Sequence, residues 1–133
     1  MKTINTNSNT SGILIGVNIF WAVIIFLLCT MPQEDIPNPH LNISHLDKIV
    51  HLGMFFIMAL LLKHLLKIKT NLSIKNIFVI TLLGTCIYGG IIELLQHYFF
   101  NRGGDLLDLT ADLFGGIFGY LAYSPIKRLI FHQ

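Results

Sequence analysis

Charged side chains are scarce in this chain. They make up 12% of its 133 residues, against about a quarter in soluble globular domains. That shortage excludes an ordinary water-soluble surface, and a mean hydropathy of +0.67 says the same from the apolar side. Basic residues never gather into a run interleaved with aromatics, and the formal net charge is only +2, so nucleic acid is not expected as a partner. Cysteine is limited to Cys29 and Cys86. They lie in different apolar segments with no CxxC or Cys/His spacing, which argues against a zinc site or a structural disulfide. No A-x-A cleavage pattern follows the first apolar run, and Leu28 stands where a lipoprotein signal before Cys29 needs a small residue. That run is therefore expected to remain as a transmembrane helix. Internal repeats and low-complexity tracts are also missing, and the length predicts one domain over residues 1–133.

What the chain does have is four apolar segments, at about 12–30, 47–66, 74–98 and 106–123, each near the roughly 20 residues that cross a bilayer. In lipid each segment must satisfy its own backbone hydrogen bonds, so all four are predicted helices. The expected fold is all-α, an integral membrane bundle of four transmembrane helices. The polar start, residues 1–11, is expected to be flexible. The prolines of "MPQEDIPNPHLNISHL" break the chain between the first two spans, and Pro125 is expected to end the last helix. With four spans, Lys2, Lys63, Lys67, Lys69, Lys75, Lys127 and Arg128 fall on one side, and only Lys48 and Arg102 on the other. The positive-inside rule then places both termini in the cytoplasm.

The acids sort the opposite way. Glu34, Asp35, Asp47, Glu93, Asp105, Asp108 and Asp112 all fall on the outer side or in the outer half of a span. Asp47 and His51 are i,i+4 at the start of the second span, hence stacked on one face, and a His51 held by Asp47 is expected. Glu93 and Gln96 are i,i+3 near the end of the third, with Gly89 and His97 on the same face. On the fourth, Asp112, Gly115 and Gly119 fall within about 40° of Asp108 at 100° per residue. Glycines spaced G-x-x-x-G let helix backbones approach, so this stripe should face another helix, in a bundle or in a dimer. The acids then point inward too. An ionisable cluster in such a place is a functional-site hypothesis by default, set against a hydrogen-bonded knot that merely fixes helix register.

"DKIVHLGMFF" and "ELLQHYFFNRGGDLLDLTADLFGGIFG" resemble the VanZ-like family of small membrane proteins over roughly Met31 to Tyr123. Asp47, Lys48, His51, Glu93, Gln96, Arg102, Asp108 and Gly115 match its pattern position by position. Asp112 stands where the family usually has asparagine, and "FFNR" lacks the usual Pro-Gly pair before the arginine. The resemblance implies association with resistance to the glycopeptide teicoplanin and names no reaction.

From these residues the expected function is binding or modification of an anionic headgroup, lipid-linked or of the cell wall, at an outward-facing pocket. His51, Glu93 and Asp108 are the candidate catalytic groups. Asp47, Lys48, Gln96, Arg102, Asp105 and Asp112 are the candidate binding groups, with Arg102 and Lys48 suited to phosphate. The expected partners are membrane lipids, a lipid-linked cell-wall precursor or a glycopeptide antibiotic. A non-catalytic binder or shield is the alternative. Proton or ion transport fits less well, because no acid continues to the cytoplasmic half. Carboxylates with one histidine suit a divalent cation, but no His-x-x-x-His or Glu-x-x-His spacing is present, so no metal ligands are assigned. His64 and His132 are expected to be solvated.

Overall fold

The computed structural model describes residues 8–31, 46–100 and 106–130. These form four helices, α1 (Ser8–Thr30), α2 (Leu46–Lys69), α3 (Ile74–Phe99) and α4 (Leu106–Ile130). Each contains one of the apolar segments, and no strand occurs among the described residues. The α2–α3 turn is short and well capped. The Ser73 side chain accepts from the Asn76 amide at 3.2 Å, and Lys67 and Lys69 lie in the last turn of α2, where cations favour the helix dipole. Threonines inside the bundle return their hydroxyls to their own helix, Thr81 to the Ile77 carbonyl at 2.7 Å and Thr85 to the Thr81 carbonyl at 3.1 Å. They are buried without leaving a donor unmet.

Three helices are long and apolar enough to cross a membrane: Thr10–Thr30, Leu46–Lys69 and Ile74–Phe99. Large apolar side chains such as Phe20, Ile74, Ile87 and Leu94 are exposed on them, as a lipid-facing surface requires. The fourth helix has the length of a span, at 25 residues. Its apolar character is diluted by Asp108, Asp112, Gly115, Gly116, Gly119, Ser124 and Pro125. It also runs on past Pro125 to Ile130, where proline was expected to stop it. Proline removes one donor to the preceding turn, a loss that neighbouring helices can make good. The carbonyl left without its helical donor is that of Leu121, one residue past the Tyr120 carbonyl to which the Lys63 ammonium donates at 2.7 Å.

Helix α2 is the centre of the bundle. It touches the other three, whereas α1 and α4 do not meet. Its seam with α4 is the most extensive, and the two helices run parallel: contacts from Lys48, His51, Lys63 and His64 reach residues 60, 61, 57 and 59 positions further on. The glycine stripe makes this approach possible. A Cβ on Gly115 would collide with the Leu52 carbonyl, and one on Gly119 with the Phe56 carbonyl. Helix α3 runs antiparallel to both and lays Thr85 on Gly116 and Ile74 near Tyr120. A cluster of Ile25, Cys29, Met54, Phe55 and Ile92, flanked by Trp21, Met58 and Tyr88, fills the space between α1, α2 and α3. Two hydrogen bonds pin α1 there, from Trp21 Nε1 to the Met54 carbonyl at 3.0 Å and from Tyr88 Oη to the Ala22 carbonyl at 2.6 Å.

This topology sorts the charges. The start of α2, the end of α3 and the start of α4 meet at one end, bringing Asp47, Glu93, Asp108 and Asp112 with them. Lys63, Lys67, Lys69, Lys75, Lys127 and Arg128 lie towards the other end. Among the described residues, Lys48 is the single lysine or arginine at the acidic end.

Candidate functional site

The acidic end is built in two layers. The outer layer belongs to the first turns of α2 and α4. Lys48 Nζ donates to Asp47 Oδ2 at 3.1 Å and to Asp108 Oδ1 at 3.0 Å. The lysine is thus held between two carboxylates, one on its own helix and one across the parallel seam. The Asp47 side chain is about half exposed and that of Asp108 only 12%, so the bridge stands at the rim of the buried region.

One helical turn further in lies the second layer. His51 Nδ1 is 3.0 Å from Asp112 Oδ1, and Asp112 is 0% exposed. Glu93 of α3 joins them from a third direction. One ligating atom each of His51, Glu93 and Asp112 lies within 4.8 Å of the other two, and all three residues are buried. The other nitrogen of His51, Nε2, faces Cys29 Sγ at 4.0 Å. Gln96 holds the end of α1 against α3 by donating to the Cys29 carbonyl at 2.7 Å. Asp112 Oδ2 meets no hydrogen-bond partner among the described residues. It is turned towards Gly89, where a Cβ would lie 2.6 Å from it; any other residue there would collide with the carboxylate.

The structure therefore brings Asp47, Lys48, His51, Glu93, Gln96, Asp108 and Asp112 to one end of the bundle. Arg102 and Asp105 lie outside the described residues. So do His40, His45 and His132. One pairing differs from expectation: His51 is held by Asp112 of α4, not by Asp47. Residues i and i+4 share a face, but Lys48 takes the Asp47 carboxylate while the parallel α2–α4 seam carries Asp112 to the imidazole. Near the other end, His64 is bonded to the Tyr123 hydroxyl, Nδ1 to Oη 2.9 Å, and is only partly exposed, where a solvated ring was expected. Cys29 joins the site without any signal in the sequence, since it arrives through the packing of α1. The missing His-x-x-x-His spacing is no guide here either, because His51, Glu93 and Asp112 come from three helices.

Apolar grooves flank α4 beside both layers. One, of about 520 Å³, runs between α3 and α4 along Ile87, Ile91, Leu94, Leu106 and Leu109, with Glu93 and His97 on its wall. The other, of about 300 Å³, lies between α2 and α4 along Ile49, Leu52, Leu107 and Phe114, with Lys48 on its wall. Each is an apolar trough bordered by a polar group of the site, a shape suited to a chain ending in a headgroup.

With this geometry in view, the VanZ/LLP1 family model matches residues 19–131, and the chain belongs to that family. Comparison with curated proteins and with solved structures gives no match.

Proposed function

From membership of the VanZ/LLP1 family and the layered site, we propose that this membrane protein binds, and through Glu93 acts upon, an anionic envelope lipid or lipid-linked cell-wall headgroup. The lipid chain lies in the α3–α4 groove and the headgroup meets the polar layers at its end. The observation that carries this reading is the double position of Glu93. It borders the apolar groove and at the same time belongs to the buried set with His51 and Asp112. A carboxylate backed by an imidazole, itself oriented by a second carboxylate, is suited to taking or returning a proton at a bound headgroup. Lys48, held at the rim by Asp47 and Asp108, supplies a cation near the headgroup, and Arg102 is assigned to the same role.

The acidic end faces outward in this reading, because six described cations lie towards the opposite end and the positive-inside rule places those in the cytoplasm. Helix α4 then completes a four-span bundle in the cell membrane, with both termini inside. Altering or covering a cell-wall precursor at the outer face lowers susceptibility to glycopeptides such as teicoplanin. Transport is disfavoured by the layer beneath the site, where Phe55, Ala59 and the self-bonded Thr81 and Thr85 separate Asp112 from Lys63. That stretch offers no chain of titratable groups.

The test uses the purified protein in nanodiscs with a photoactivatable polyprenyl phosphate. Crosslinks are expected at Ile91, Leu94 and Leu106, and a Leu94→Trp change that fills the groove should suppress them. Glu93→Gln should leave crosslinking in place and abolish headgroup turnover. Labelling spread evenly over the lipid-facing surface and indifferent to Leu94→Trp would sink the proposal. Crosslinking without turnover in the wild type would mark a binder that shields its ligand.

A further inference from the structure

We propose that His51, Glu93 and Asp112 form a binding site for one divalent first-row metal ion, of the Zn²⁺ or Mn²⁺ kind. The proposal stands on the ligand set and does not rest on the lipid reading.

The donors come first. One imidazole nitrogen and two carboxylate oxygens converge from α2, α3 and α4, all within 4.8 Å of one another. Metal–ligand bonds of about 2.1 Å in a tetrahedral shell place donor atoms about 3.4 Å apart. His51 Nδ1 and Asp112 Oδ1 stand at 3.0 Å across a shared proton, which the ion would displace to solvent, and closing the 4.8 Å span to that spacing takes a little over an ångström, within reach of carboxylate rotation. Three protein donors with a further position open is the arrangement of catalytic metal sites, whereas structural sites are closed by four. One nitrogen with two oxygens suits Zn²⁺ or Mn²⁺, while the soft ions that select thiolate do not fit.

Burial makes the second argument. His51 is 5% exposed, Glu93 8% and Asp112 0%. Carboxylates this close and this dry repel each other, and a cation among them relieves that repulsion. A divalent ion balances both and uses the imidazole as well. The third argument is the free oxygen. Asp112 Oδ2 is fully buried with no hydrogen-bond partner among the described residues, and such a group calls for an explanation, an ion being one. The carboxylate can take this position because residue 89 is glycine, whose Cβ would otherwise stand 2.6 Å from that oxygen.

An ion here would adjoin the α3–α4 groove through Glu93. Divalent ions commonly bridge protein carboxylates to phosphate oxygens. The otherwise acid-rich end would thereby accept an anionic headgroup.

The experiment is run in detergent without added lipid, so it can fail while the lipid reading stands, and the reverse. Full-length protein stripped with EDTA is titrated with Zn²⁺ and Mn²⁺ by calorimetry, and metal retained after gel filtration is counted by mass spectrometry. One equivalent per chain is expected. Asp112→Asn and His51→Gln should each weaken binding by about 100-fold or more, while His64→Gln, towards the other end of the bundle, leaves it unaltered. Co²⁺ in the wild type should give the visible bands of a nitrogen- and oxygen-ligated ion, and these should be lost in Asp112→Asn. If one of those variants folds poorly, Glu93→Gln replaces it. No stoichiometric binding by the wild type overturns the proposal, as do binding that survives both substitutions and a Co²⁺ spectrum no different from the free ion.

Discussion

Replacing Gly89 by alanine should destabilise the protein through a residue on another helix, and the effect should vanish when that residue is removed. A Cβ at position 89 would lie 2.6 Å from Asp112 Oδ2 and 3.3 Å from both Cβ and Cγ of Asp112. The added methyl therefore displaces the carboxylate and overpacks the seam, at about 1–3 kcal/mol. Moving Asp112 also breaks its 3.0 Å contact with His51, a buried hydrogen bond to a charged group worth about 1.5–3 kcal/mol. Against this, alanine favours the helix over glycine by about 0.5–1 kcal/mol. The net expectation is a loss of about 1.5–5.5 kcal/mol. In an Asp112→Ala background the 2.6 Å clash is gone and only the 3.3 Å approach to the Cβ at position 112 is left, which the gain in helix propensity of about 0.5–1 kcal/mol offsets, so Gly89→Ala should be near neutral. The coupling between the two positions is then at least about 1.5 kcal/mol, well above the roughly 0.5 kcal/mol within which independent sites add. The assay is reversible unfolding in mixed micelles with EDTA present, followed by the fluorescence of Trp21, the only tryptophan. Gly89→Ala that is harmless in the wild-type background, or equally costly in both, refutes the packing argument.

Two further outcomes follow from the same contacts. Gly119→Ala should cost about 1–3 kcal/mol, since its Cβ would meet the Phe56 carbonyl, while Gly53→Ala should be neutral or slightly stabilising because nothing lies within 4 Å; equal effects at both positions in the micelle assay would contradict the close α2–α4 seam. Lys63→Met keeps the apolar stem but removes an ammonium that lies 3.6 Å from the Tyr120 ring centre and donates to the Tyr120 carbonyl. It should lose about 2 kcal/mol, the scale of a desolvated cation–π contact, and the loss should persist in molar salt, which would erase that of a solvated surface lysine.

Much of the fold was readable because lipid-compatible helices advertise their own length. The apolar runs place α1, α2 and α3 to within a few residues of their ends. The exception is α4, where Pro125 reads as a stop while the structure continues to Ile130. Proline's cost is local, a single lost donor to the Leu121 carbonyl, and it does not end a helix that is docked along its length on α2 and α3. The site divides along the same line. Helical periodicity reports which face a residue occupies, so Asp108, Asp112, Gly115 and Gly119 could be assigned to one stripe. It does not report what that stripe meets. His51 was therefore assigned to Asp47, its neighbour by spacing, and found beside Asp112. Cys29 and Lys63 sit in apolar and lysine-rich surroundings respectively, and nothing local distinguishes them from residues that face lipid or water. Their roles exist only once α1 and α4 are docked on α2.

The energetics of the α2–α4 seam bear on whether the acidic end is more than a fastening. Gly115 and Gly119 already bring the two backbones into contact at Leu52 and Phe56, and close backbone packing of this kind is enough to set the register of membrane helices. The polar layers add little to that. The rim bridge of Lys48, Asp47 and Asp108 is partly exposed, and such bridges contribute at most about 1 kcal/mol. Interhelical polar contacts average about 0.6 kcal/mol. Burying an ionisable group at mid-membrane, by contrast, costs about 2.5–3.5 kcal/mol on insertion scales, and Asp112 and Glu93 carry some fraction of that cost each. As an aid to packing, the inner layer is a net loss, and alanine at both positions would hold the helices equally well. The burial of Asp112 is offset in part by its contact with His51, and a bound cation or a polar headgroup entering from the groove would offset more of the cost. On this reasoning, neutralising the pair by Glu93→Gln and Asp112→Asn leaves the stability of the ligand-free protein unchanged or raised. On the proposals above, binding of the ion or the headgroup is what the double change removes.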